Sequence, residues 1–183
     1  MASMTSEDLA SIADELIANA GYGADATFEL ADGNTLALRI EIDYDTSIRD
    51  YDTYGAFSEY AYDYTDESGK NRPDDMNGNA EKLQVDRGAF VWWQPREDAP
   101  KRGTEEFRKE RALVQEIAEN GYVGLVVELR DGEDAAGRPH ALKVASLWGI
   151  ENCYATFHGD KLYAAEVVAE LVAEVLADDE EVI

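Results

Sequence analysis

Asp75, Asn77, Asn79 and Glu81 alternate as the early oxygen donors of a calcium loop do, and Asp86 stands at the twelfth place of such a loop. Ala80 occupies the position where that loop needs glycine, and no helical pattern flanks the segment, so a polar turn is expected. Cys153 and His158, with Glu151 and Asp160, are ligand types gathered in one short stretch. A structural zinc site uses four Cys or His ligands, whereas the chain has one Cys and two His, so no zinc is expected. Cys153 as a nucleophile would need His140 or His158 as its base and an oxyanion hole, and no spacing brings these together. Forty acidic residues supply many carboxylate pairs and so single out none for acid–base work. Gly121, Gly124, Gly132 and Gly137 make no phosphate cradle, and Lys143 follows none of them at the required spacing. No catalytic residue, metal ligand or cofactor is predicted.

Binding chemistry is better represented. From Glu41 to Glu67, nine carboxylates and six tyrosines accompany one cation, Arg49. Tyr60, Tyr62 and Tyr64 alternate with Glu59, Ala61 and Asp63, the period that separates the two faces of a strand. One face would be aromatic and the other acidic. Tyr44, Tyr51 and Tyr54 fall among the upstream acids without a period, as in an irregular crossover. Carboxylates can stand in for phosphates on a basic partner, and tyrosines supply rigid contact area. Asp43, Asp45, Asp50, Asp52, Glu59 and Asp63 are the expected phosphate stand-ins, with Tyr51, Tyr54 and Tyr62 as anchors. The competing reading is a half-buried strand with tyrosine rings in the core and acids in water.

Sixteen basic against forty acidic residues give a formal charge of −24, which repels nucleic acid and anionic membranes. Direct binding to either is therefore not expected. Duplex DNA carries one charge per roughly 1.7 Å, so about 24 charges match roughly 40 Å of duplex, close to the width of a domain of this length. Mimicry of DNA is thus feasible in scale if the charge gathers on one face. A single Cys fits a reducing compartment. The N-terminus has neither a basic start nor a sustained apolar run, so a protein of the cytoplasm is expected.

The elements that must position these residues are readable in outline. Thr5 and Asp8 form a capping pair before Leu9, Ile12, Ala13, Leu16 and Ile17, and Gly21 supplies the stop. A hairpin follows through Asp32-Gly33, with Phe28, Leu30, Leu36, Leu38, Ile40 and Ile42 on one side and a wet face opposite. After the tyrosine strand, residues 66–88 read as a long polar loop. Ala89 to Gln94 is a short strand whose adjacent Trp92 and Trp93 point to opposite faces. Thr104 caps a second helix with Phe107, Val114 and Ile117 inside, ended at Asn120-Gly121. Tyr122 to Val127 is apolar enough for a central strand, and His140 to Trp148 is another. The last helix, from about Asp160 to Ala177, is apolar except for a stripe of Glu166, Glu170, Glu174 and Asp178. Either the core or a second subunit, in a homodimer through this helix, must cover it. The acidic tail 178–183 is expected to fray. The sum is one α+β domain over residues 1–183, a mostly antiparallel sheet with three helices in the order α-β-β-β-β-α-β-β-α.

Five stretches, in order, resemble a group of acidic proteins encoded by actinobacteriophages and their actinobacterial hosts, to which no activity is assigned. They are SIRDYDTYG from Ser47, RPDDMNGNAEKL from Arg72, WWQP from Trp92, RGTEEF from Arg102 and GRPHALKVASLWGIE from Gly137. The resemblance implies a phage-linked protein of the host cytoplasm that is not an enzyme. The leading expectation is an acidic interaction protein that occupies a basic host protein, as a DNA mimic blocking a restriction or other defence factor or a regulator. A small metal-dependent hydrolase, with its site between residues 66–86 and Trp92 or Trp93, is the alternative, and a homo-oligomeric structural phage protein is a third.

Overall fold

Thr5 opens the first helix, α1 (Ser6–Asn19), with both halves of a capping box: its hydroxyl accepts from the Asp8 backbone N–H, and the Asp8 carboxylate accepts from the Thr5 N–H. That backbone donor, seconded by the Thr5 hydroxyl, holds the Asp8 carboxyl below the usual aspartate range. In this computed structural model, which describes residues 4–48, 53–57, 80–85, 90–157, 159 and 163–177, the chain continues as β1 (Ala26–Glu29), β2 (Thr35–Asp43), β3 (Gly55–Phe57), β4 (Glu81–Gln84) and β5 (Phe90–Pro95). Then come α2 (Glu105–Asn120), β6 (Tyr122–Glu133), β7 (Pro139–Glu151), α3 (Tyr154–Phe157) and α4 (Tyr163–Leu176). The class is α+β and the pairing antiparallel, as the alternating patterns predict; the strands form two sheets rather than one, five rather than four precede α2, and the short α3 makes four helices rather than three.

The described residues gather around two cores. The first unit takes those of Met1–Asp43, Val123–Ile150 and Tyr154–Ile183. Its sheet has the order β1-β2-β6-β7, with Ala26 opposite Leu38 and Glu29 opposite Thr35 in the β1–β2 hairpin. Central β6 buries every residue from Val123 to Val127, so both of its faces are covered, as its apolar run requires. Ile12 and Leu16 of α1 pack with Leu36 and Leu38 of β2, Leu125 and Val127 of β6, and Val168, Leu171 and Val172 of α4. The apolar sides of α4 are thus covered inside this unit. The expected wet face of β2 is interrupted: Ala37 is enclosed because β2 is an interior strand, while Ile42, at its far end, is exposed. Lys143 on β7 reaches the Ala177 carbonyl just past α4 and places a cation at the negative end of that helix.

The second unit takes the described residues of Tyr44–Tyr122 and Glu151–Cys153. Its sheet has the order β3-β5-β4, with Phe57 opposite Trp93 and Leu83 opposite Val91. Within the stretch read as a loop, Glu81–Gln84 is a strand, because Leu83 and Val85 alternate into the core and an edge position tolerates polar neighbours. The Gln115 amide of α2 pairs with both backbone groups of Gln84, at 3.1 and 2.7 Å, and so occupies part of the exposed edge of β4. Trp93 is fully buried and stacks on Phe107 at 6.1 Å, whereas Trp92 on the other face is half-buried against Phe90. The expected tyrosine strand at 59–64, residues 66–79 and 86–88 of the loop, and the tail 178–183 lie outside the described residues.

Candidate functional site

Of the nine residues expected to meet a partner, Asp43, Asp45 and Tyr54 are described; Asp50, Tyr51, Asp52, Glu59, Tyr62 and Asp63 are not. Asp43 ends β2 turned inward, 8 % exposed, with its Oδ2 accepting from the Gly149 N–H at 3.0 Å. Buried and used in this way, it is a structural carboxylate and corrects its expected role as a phosphate stand-in. Tyr54 is also turned to internal use. Its hydroxyl donates to Glu151 at 2.9 Å, and its carbonyl accepts from the Trp93 indole N–H at 2.7 Å. Burial, reinforced by the Glu151 charge, pushes the Tyr54 phenol well above the usual tyrosine range. Asp45 alone of the three is exposed, beside a Tyr44 that is 87 % exposed.

A further concentration of negative charge lies on the first unit. Packing α1 against α4 puts their apolar sides in one core and their polar sides in water. Glu7, Asp8, Asp14 and Glu15 of α1 and Glu166, Glu170 and Glu174 of α4 are all exposed, and neither helix contains a Lys or Arg. Among the described residues, none of these seven carboxylates is in an ion pair. Among the described cations of the first unit, Lys143 reaches the C-terminal end of α4, and the three arginines are engaged away from the helices. Arg39 meets Glu128 at 2.7 Å, Arg130 bridges Glu128 and Asp25 at 2.7 Å, and Arg138 holds Asp134 at 2.8 Å.

The second unit is balanced differently. Arg102 and Arg111 converge on Glu81, Arg96 approaches Glu110, and Arg108 pairs with Glu105 along α2. Among the described residues, acids without a cationic partner are thus gathered on the α1–α4 layer. That layer is traceable in the sequence as two helical patterns with acids and no cations.

Few of the donors considered for metals are described. Glu81 is committed to its two arginines and Glu151 to Tyr54, and Cys153 is buried in the second core. His140 lies 2.6 Å from Asp131 across the β6–β7 turn. Among the described residues no group of three or more His, Cys, Asp or Glu is arranged to hold a metal ion, and no helix is long and apolar enough to cross a membrane. No protein-family model matches this chain, and neither a curated protein nor a solved structure matches it.

Proposed function

We propose that the chain is an acidic binding protein that occupies a basic surface of another protein in competition with nucleic acid, using the outer side of the α1–α4 layer. The observation that carries this reading is the set of seven exposed carboxylates on two packed helices without one Lys or Arg. Glu7 to Glu15 and Glu166 to Glu174 each span eight residues, or about 12 Å of helix, and about 12 Å of duplex DNA carries about seven charges. The layer therefore presents negative charge at close to the linear density of a duplex. Its carboxylates need no rearrangement to meet arginines, which pair with them through two parallel hydrogen bonds.

The resemblance to phage and host proteins gives the partner a class: a nucleic-acid-binding protein of the host, such as a defence nuclease or a regulator. Asp45 and the acids and tyrosines of residues 50–63 extend the same proposal, and Asp43 and Tyr54 leave it. The test uses immobilised wild-type protein and a variant carrying Asp14→Lys, Glu15→Lys, Glu166→Lys and Glu170→Lys, each exposed to actinobacterial lysate. Wild type is expected to retain a basic protein that salt elutes and duplex DNA displaces, and the variant to lose it while keeping its helical circular dichroism. Equal retention by a folded variant would remove the layer from the proposal.

A further inference from the structure

The sheet of the first unit ends on β7, and among the described residues no strand pairs with the outer side of β7. Native edges are kept from pairing by shortness, by an outward charge or by a proline in mid-strand. Residues 140–148 of β7 show none of these: the strand is 13 residues long, its one proline is its first residue, and Lys143, the one Lys or Arg among them, reaches back to the Ala177 carbonyl. Residues 135–150 are also the longest run in the chain without Asp or Glu. Ala145 belongs to the core shared with α1 and α4, so Leu142 and Val144, at odd spacings from it, face the other way. Trp148 lies on Gly124 of β6, whose neighbours Val123 and Leu125 are in that core, and therefore shares the outer face. Leu142 and Val144 are 46 % and 57 % exposed, and Trp148 is nearly as open as Leu142. On the same face of β6, Glu128 is already held by Arg39 and Arg130.

We propose that a second copy of this chain pairs its own β7 with this edge, antiparallel about a two-fold axis, and joins the two four-stranded sheets into one. An antiparallel pair of identical strands is self-complementary, because each contact is made twice. Every register that keeps the outer faces together brings the Leu142, Val144 and Trp148 row onto its copy. Charge selects the place: two chains of formal charge −24 repel, and contact costs least along a strand edge that carries no acid. A basic partner of the kind proposed for the α1–α4 layer would find no carboxylate there to meet. The two surfaces are therefore distinct, and this pairing does not depend on that reading.

Sedimentation velocity of the full chain tests this. The paired edge spans about 30 Å, a small interface, so a dimer with a dissociation constant of about 10–100 µM is expected. It should tighten between about 0.05 and 0.5 M NaCl, as salt screens the like charges. Leu142→Lys and Val144→Lys each put a charge on the paired edge and should weaken the dimer about tenfold or more, with unchanged circular dichroism because both positions are exposed. In the wild type, amide exchange over residues 140–148 should slow as concentration rises, since outward N–H groups become donors across the axis. A chain that stays monomeric up to about 500 µM in high salt would leave the edge to a strand of another protein and overturn the proposal. A dimer that salt dissociates, that both folded lysine variants leave intact, or that adds no protection on β7 would overturn it equally.

Discussion

Asp43 and Asp45 stand two residues apart with the same side chain and opposite duties. Removing the inward carboxylate takes the Asp43 acceptor from the Gly149 N–H, so Asp43→Ala is expected to cost about 1–3 kcal/mol, and Asp45→Ala, at an exposed position, less. Urea denaturation of both variants checks this, and equal midpoints would refute the inward role. Two glycines make a similar contrast. A methyl on Gly55 would lie 2.2 Å from the Gln94 carbonyl oxygen at a φ of 121°, with backbone as the obstacle. On Gly124 it would meet the Trp148 ring at 2.4 Å, but that side chain is 47 % exposed and has room to swing. Gly55→Ala should therefore be the worse change, by roughly 2 kcal/mol or more, and Trp148→Ala should absorb much of the Gly124→Ala cost in a double-mutant cycle. None of this was legible in the sequence. Which carboxylate of an acidic run turns inward depends on Gly149, 106 residues away, and local spacing carries no trace of it.

At the scale of elements, the capped helices and the hairpin were legible because their determinants are local. Thr5 with Asp8 and Thr104 with Phe107 satisfy first-turn donors within three residues, and the β1–β2 turn is closed by Asp32 and Asn34. Thr104→Ala should accordingly lower stability by about 1 kcal/mol, measurable as a shift in the denaturation midpoint. Strand β4 was less legible, since two alternating apolar residues, Leu83 and Val85, are a weak signal inside a polar stretch. The tie between Tyr54 and Glu151, 97 residues apart in sequence, was not legible at all. It makes an alkaline prediction. The folded phenol titrates above its unfolded value of 10.0, so its contribution is complete below that pH and is lost as pH rises beyond it. Melting temperatures of wild type and Tyr54→Phe should converge above pH 10; a constant gap would mean that the hydroxyl contributes nothing that titrates.

Over the whole molecule, the question is what a formal charge of −24 does to a fold that must hold it together. Composition could state the amount of charge but not its placement, because placement follows from α1 and α4 sharing one core and thereby turning their acids outward together. The same arrangement that gathers this charge must weaken the layer that carries it. Glu166, Glu170 and Glu174 repel along one helix at four-residue intervals, by a few tenths of a kcal/mol per pair. Glu170→Lys turns two repulsive pairs into two attractive ones and should stabilise by about 0.5–1 kcal/mol, or roughly 2–3 °C in Tm for a chain of this length. If the gain is Coulombic, it must shrink in 1 M NaCl, where the screening length of about 3 Å is shorter than the roughly 6 Å rise between the groups. Wild type should meanwhile gain stability as salt is added. A salt-independent gain would instead assign the effect to helix propensity and leave no measurable repulsion in the layer. Binding of the proposed basic partner is expected to run the other way, weakening with salt as stability improves. Opposite salt slopes for binding and for folding, both abolished by the lysine variants, are what a surface held open for a cationic partner requires.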